Sequence, residues 1–207
     1  MSPTLVVLSG GIGSAVTLAW AHRQQDQLLA LSFQYFLRPF RERIAVFRLL
    51  EQYPAKLIEV PVPFIKEVTD FDHNKGTDFP EGYVSNRNMI FYSVAAHYAE
   101  LHGCDRIVGG HTIEDQETFP DASIGFFDDL EKLINRALLK ERVRIEMPFG
   151  KMTKLQVMQQ GCEWNVPFEN TWSCYWDGAH PCGTCVSCVE RAEAFCQMGV
   201  PDPLCTT

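Results

Sequence analysis

The stretch LVVLSGGIGSAVTLAW, residues 5–20, decides how the chain must fold. A short apolar run, Leu5 to Leu8, gives way to Ser9, Gly10 and Gly11, and then to apolar residues at helical spacing. This pattern predicts a strand, a tight turn and a helix. Outward from it the alternation repeats. LLALSFQYF reads as a second strand ending near Tyr35, and RPFRERIAVFRLLEQY as a helix with apolar positions at Ile44, Phe47, Leu50 and Tyr53. AKLIEVPV is a third strand, which Pro61 and Pro63 confine to an end or an edge. RNMIFYSVAAHYAELHG is a helix closed by Gly103, DRIVGG a strand ending in a glycine pair, and FDDLEKLINRALLK an amphipathic helix. VRIEMPF adds a strand, and KMTKLQVMQQGC a short helix capped by Thr153 with Gly161 at its end. Residues 66–86 read as a long irregular loop, a length at which loops are usually functional, here as a lid.

Such alternation predicts an α/β fold, a Rossmann-like parallel sheet with helices on both faces. Ligands of open α/β sheets sit outside the carboxyl ends of the strands. Ser9 to Ser14, Gln34 to Tyr35 and Gly109 to Asp115 would share that edge.

The chain of 207 residues, 46% hydrophobic and 12% aromatic, can bury a substantial core. No run of about 18 uncharged apolar residues and no signal-peptide pattern stands in it, so no membrane partner and a cytoplasmic location are expected. A net charge of −8 argues against a broad basic face for nucleic acid, because phosphate neutralisation supplies most non-specific affinity. Eight cysteines are present, and four of them, Cys174, Cys182, Cys185 and Cys188, crowd into CYWDGAHPCGTCVSC. Four thiolates so spaced fit a closed, tetrahedral and therefore structural Zn²⁺ site better than an iron–sulfur ligand set. His180 lies inside the cluster and is more simply an exposed loop residue; Cys104 and Cys162 follow helix ends and read as small buried hydrophobes. SCVERAEAF continues from the last ligand as a helix, so the tail reads as a folding staple. The division expected is an ATP-binding α/β domain over 1–170 and a zinc-binding segment over 171–207 packed on it.

The first turn lacks the Lys of a Walker loop, and it lacks both the third small residue and the acidic strand end of a dinucleotide site. What remains is a Ser-Gly-Gly loop whose backbone N–H groups and Ser9 and Ser14 hydroxyls converge on an anion at a helix N-terminus. It resembles the SGGxDS motif of the PP-loop ATP pyrophosphatases, which cleave ATP to AMP and pyrophosphate while adenylating a substrate. Gly13 stands where that motif has Asp. Either ATP binding is weakened, or another acid such as Asp115 compensates.

Across nearly the whole chain the motifs are similar to those of the 7-cyano-7-deazaguanine synthases, the QueC type. FQYFLRPFRERIAV resembles FDYGQRHRxEIxxA, YVSNRNMIFYSVAAHYA resembles FVPGRNxxFLxxAxxYA, EDQETFPD resembles xDxSGYPD, and TWSCYWDG with CGTCVSCVERAEAF resembles TxSCY and CGxCxxCxxRxxAF. The resemblance implies activation of 7-carboxy-7-deazaguanine by ATP, capture of the acyl adenylate by ammonia, and a second activation that gives the nitrile, with Mg²⁺ between the phosphates. Carried over by position, Ser9, Gly10, Gly11, Ile12, Gly13 and Ser14 would bind the nucleotide with Gln34, Gly109 and Gly110. Lys154 would meet the phosphates, Arg87 and Asn88 would stand near substrate or phosphate, and Asp115, Phe119, Pro120 and Asp121 would frame the deazapurine. Lys154, Arg87 and Asp115 are the catalytic candidates. Without the motifs, Arg87 reads as a surface cation, Asp121 as a turn or cap, and Lys154 as a solvated helix residue.

Departures cluster at the expected pocket. Besides Gly13, Gln34 replaces Asp, Phe36 and Leu37 replace Gly-Gln, Asn86 replaces Gly, Glu117 and Thr118 replace Ser-Gly, and Ala122 and Ser123 replace Cys-Arg. Two alternatives follow: a ligase that passes the acyl group to a protein amine in antiphage defence, and a nucleotide-binding subunit without catalysis. Sulfur transfer to RNA fits poorly with cysteines committed to metal. The exposed apolar stretch SIGFF suggests a homodimer.

Overall fold

In the computed structural model, residues 2–24, 27–35, 38–67, 82–139 and 142–205 are described. Strand β1 (Thr4–Val7) leads to helix α1 (Ile12–Arg23), β2 (Leu28–Gln34) to α2 (Phe40–Gln52), and β3 (Lys56–Pro61) to α3 (Arg87–His102). Then come β4 (Arg106–Val108), α4 (Ile113–Thr118), α5 (Ile124–Ala137), β5 (Arg144–Glu146), α6 (Lys154–Glu163) and α7 (Val186–Met198). The sheet order is β3-β2-β1-β4-β5 and every pairing is parallel, with Leu5 opposite both Leu29 and Ile107. β1 is central, and β3 is an edge strand that stops at Pro61, where its proline can do no harm to a ladder.

Side-chain alternation along the central strands divides the core into two layers. Leu5, Leu29, Leu31 and Phe33 face α3 and α5, where Phe33 stacks on Phe91 with centroids 4.0 Å apart. Val6, Leu8 and Ala30 face the other way, onto α1, α2, α6 and α7. Helices therefore cover both faces, as alternation predicts. α3 ends on Gly103 at φ +67°, the left-handed conformation that closes a helix without a Cβ penalty.

Several expectations need correction. Gly161 does not end α6; it lies inside it, because a Cβ there would come 2.5 Å from the Phe168 ring and 2.9 Å from Val16. The glycine is a close-packing position between α6 and α1. Cys162, on the next helical position, is exposed, whereas Cys104 is buried as expected. α5 begins at Ile124 under a Ser123 cap, and SIGFF is used within the chain: Phe127 is buried against α3. That stretch gives no ground for a dimer. α4, opened by a capping box of Thr112 and Asp115, is a helix that the apolar periodicity does not announce. Most of the expected lid, residues 68–81, lies outside the described residues. Among the described residues no helix is long and apolar enough to cross a membrane.

The tail folds back onto the first loop. Trp172 N–H donates to the Gly10 carbonyl at 2.9 Å. Asp177 accepts from the N–H groups of Phe40 and Arg41 at 2.8 and 2.9 Å, capping α2. Arg191, fully buried, donates to Asp202, Thr171 Oγ1 and the Phe168 carbonyl.

Candidate functional site

A cavity of about 310 Å³ opens above the carboxyl ends of β1, β2 and β4, where the strand order reverses. Its floor is the first loop. Gly10, at φ +103°, packs against the backbone of Glu42 and can carry no side chain. Ser14 Oγ accepts from Gly10 N–H at 3.1 Å and donates to the Gly11 carbonyl at 3.0 Å, while Ser9 Oγ accepts from Gly11 N–H at 3.2 Å. Both hydroxyls thus brace the loop. The opening N–H groups of α1 have no intrahelical acceptor, Gly11 provides no side-chain cap, and no acid stands in the first turn. The result is a positive helix end left open for an anion.

Ser9, Gly11, Ile12, Gly13, Ser14, Arg87, Asn88, Gly110, Asp115, Phe119 and Lys154 all line this cavity. The remaining candidates do not. Gln34 donates to Glu59 at 2.7 Å along the outer strand, and Gly109 abuts the hydroxyl end of Tyr92. Asp121 accepts from Asn88 N–H at 2.9 Å and so holds the start of α3, the end that presents Arg87; Pro120, itself exposed, opens a 3-10 turn over 120–122. The guanidinium of Arg87 stands over the Phe119 ring at 5.9 Å. Lys154 Nζ is paired with Glu190 of α7, and its own N–H donates to Glu114 at 2.9 Å.

The departures acquire physical reasons. Asn86, where the similar motif has Gly, sits at φ +55°, and asparagine is one of the few residues that tolerate that region. Ser123 Oγ accepts from Phe126 N–H at 3.2 Å as the cap of α5. A Cβ on Gly13 would come 2.5 Å from the Gly110 carbonyl oxygen, so the first turn of α1 and the segment after β4 touch through bare backbone. Phe36 and Leu37 lie outside the described residues.

The cavity also takes residues that motif reading did not assign. Arg38 donates to Glu42 at 3.0 Å, to Ser32 Oγ at 2.9 Å and to the Phe33 and Ser9 carbonyls, locking β2, α2 and the first loop together. Burial pushes the Glu42 carboxyl above its ordinary value although Arg38 pulls it down. Burial, then the Glu42 charge, pushes the Tyr35 phenol up to about 12, so it stays a hydrogen-bond donor. Trp172, Tyr175 and Arg191 come from the tail. Their signal was in the sequence: Arg38 and Glu42 stand in FQYFLRPFRERIAV, and Trp172 and Tyr175 in TWSCY.

The four cysteine sulfurs lie within 4.8 Å of one another. Thiolates bound tetrahedrally to zinc at about 2.3 Å are about 3.8 Å apart, and Cys182 Sγ is already 3.9 Å from Cys188 Sγ. Cys174 Sγ accepts from the N–H groups of Trp176 and Cys182 at 3.4 and 3.3 Å, and Cys182 Sγ from those of Thr184 and Cys185 at 3.5 and 3.3 Å. Such donors suit thiolate ligands. None of the eight cysteines is in a disulfide, and a metal such as zinc fits this donor set. His180 stays outside it and exposed.

Solved structures with the same fold include an NMN synthetase from Francisella tularensis, TM-score 0.56 at 14% identity over 97% of this chain and 78% of that one. An NH3-dependent NAD synthetase from Campylobacter jejuni matches with TM-score 0.53 at 16% identity over 81% of this chain and 66% of that one. The "7-cyano-7-deazaguanine synthase" of Chlorobium luteolum is 32% identical over 97% of this chain and 94% of its own length. That of Methanospirillum hungatei is 34% identical over 96% of both. The family model described as "Queuosine biosynthesis protein QueC" matches residues 3–199, so the chain belongs to the QueC family.

Proposed function

We propose that this chain is an ATP-dependent C–N bond-forming enzyme that converts 7-carboxy-7-deazaguanine to 7-cyano-7-deazaguanine by way of the amide. The relatives named above support this reading, and one observation carries it: the open, acid-free N-terminus of α1 faces a cavity shared with Arg87, Asp115, Phe119 and Lys154. The pyrophosphate end of ATP would lie on the α1 amides with Lys154 beside it, and the deazapurine against Phe119. A carboxylate becomes an acyl donor only once its oxygen carries AMP, which requires acid and α-phosphate to be held in line while cations spread the growing charge. Arg87 and Lys154 supply those cations. Mg²⁺ would come with the nucleotide; Asp115, whose Oδ2 is engaged by Thr112, keeps its other oxygen for it. Zinc, on this reading, is held by Cys174, Cys182, Cys185 and Cys188 and serves structure. The same reading makes it a soluble biosynthetic enzyme of the cytoplasm.

The experiment is to incubate the protein with ATP, magnesium, ammonium and 7-carboxy-7-deazaguanine and to weigh the products. AMP, pyrophosphate and the nitrile are expected. Absence of acid-dependent AMP would defeat the proposal. The relatives lend no support to a protein acyl acceptor, antiphage defence or a non-catalytic subunit.

A further inference from the structure

Directly after the glycine pair that ends β4 stands a side chain with no role in the account above. Gly110 touches Gly13, and the next residue, His111, turns into the same cavity beside the start of α1. Its ring lies 5.2 Å from Phe127 of α5 and 6.0 Å from Tyr92 of α3, centroid to centroid, and both of those are fully buried. The imidazole is thus held on one side by fixed aromatic walls. Neither of its nitrogens has a hydrogen-bond partner among the described residues. A ring nitrogen left without a protein partner in a ligand cavity is available to whatever enters it.

The charges that face it come from three elements. Arg87 of α3 disfavours an imidazolium, while Asp115 of α4 and Asp121 of the 3-10 turn favour one. Burial outweighs these and keeps the ring below the ordinary histidine value, so it is neutral near pH 7 and able to take a proton. Those are the properties required of a general base.

We propose that His111 takes the proton that the attacking amine must lose when the acyl adenylate becomes the amide. The ammonia nitrogen bonds to the acyl carbon, the bond from that carbon to the AMP oxygen breaks with its electron pair leaving on AMP, and one N–H proton passes to His111 and then to solvent. This rests on the adenylating reading of the cavity, and it assigns the second half of that reaction to a residue that the first half does not need.

The two halves can be measured apart. Acid-dependent exchange of labelled pyrophosphate into ATP reports adenylation. Ammonium reports base-assisted capture, and hydroxylamine traps acyl adenylates without such assistance. His111→Asn, with His111→Gln as a second variant, is expected to keep exchange and hydroxamate formation while amide formation falls about 100-fold. An unchanged amide rate overturns the proposal, and so does a loss of exchange, hydroxamate and amide in equal measure, which would make the residue structural. If the parent protein shows no acid-dependent exchange at all, the adenylating reading itself has failed and this inference falls with it.

Discussion

Gly13 occupies the place where the similar motif carries aspartate, and the first loop alone gives no reason for the change. The reason lies across the sheet: its missing Cβ would stand 2.5 Å from the Gly110 carbonyl oxygen, and one on Gly110 would meet Gly13 backbone at 2.6 Å. Each glycine is the condition for the other. Gly13→Asp is therefore expected not to restore a lost carboxylate but to push the start of α1 away from the segment after β4, costing about 1–3 kcal/mol as an overpacked site does. Urea denaturation measures it, and a variant at least as stable as the parent would contradict the reciprocal packing. The loop was legible in sequence because Ser-Gly-Gly before a helix has one economical meaning. The role of Gly13 was not, because its partner lies 97 residues away and a gap has no letter.

Among strands and helices the outer edge shows a similar limit. Gln34 ends β2 as expected, yet its amide turns along the sheet to Glu59 of β3, which Arg43 of α2 grips at 2.6 and 2.8 Å. The hydrogen bond from Arg43, more than its charge, holds the Glu59 carboxyl below the ordinary value of 4.5. A carboxyl with a lowered folded pKa stabilises the fold above its unfolded value and loses that contribution as pH falls through the folded one. The melting temperature of Glu59→Gln is thus expected to lie below that of the parent at pH 7, with the gap closing as pH drops under 4.5. The pair is partly solvated, so the gap is small. A gap independent of pH would assign the loss to packing instead. Periodicity foretold every strand and the large helices. It missed α4, six residues made by a capping box, and it misplaced the end of α6, where a glycine that looks like a stop is a contact between helices.

The chain as a unit is closed by its tail. The four sulfurs, the Asp177 cap on α2 and the buried Arg191–Asp202 pair hold Trp172, Tyr175 and Arg191 in the cavity wall. If the four sulfurs hold a metal, stripping it with a chelator, or replacing Cys188 by Ser, is expected to expose the segment after residue 171 to protease and to weaken nucleotide binding about tenfold or more, 1.4 kcal/mol. Limited proteolysis and calorimetry with a non-hydrolysable ATP analogue read both effects; binding that survives while the tail is cut would separate the two. Cysteine spacing made the four-sulfur cluster legible, but it read the tail as fastening alone, since spacing says nothing of what the intervening aromatic residues touch. The bond from Trp172 N–H to the Gly10 carbonyl carries a last consequence for biosynthesis. The glycine loop is synthesised well before the segment that lines it, so a nascent polypeptide released before residue 191 would carry every glycine of that loop and still lack part of its cavity wall.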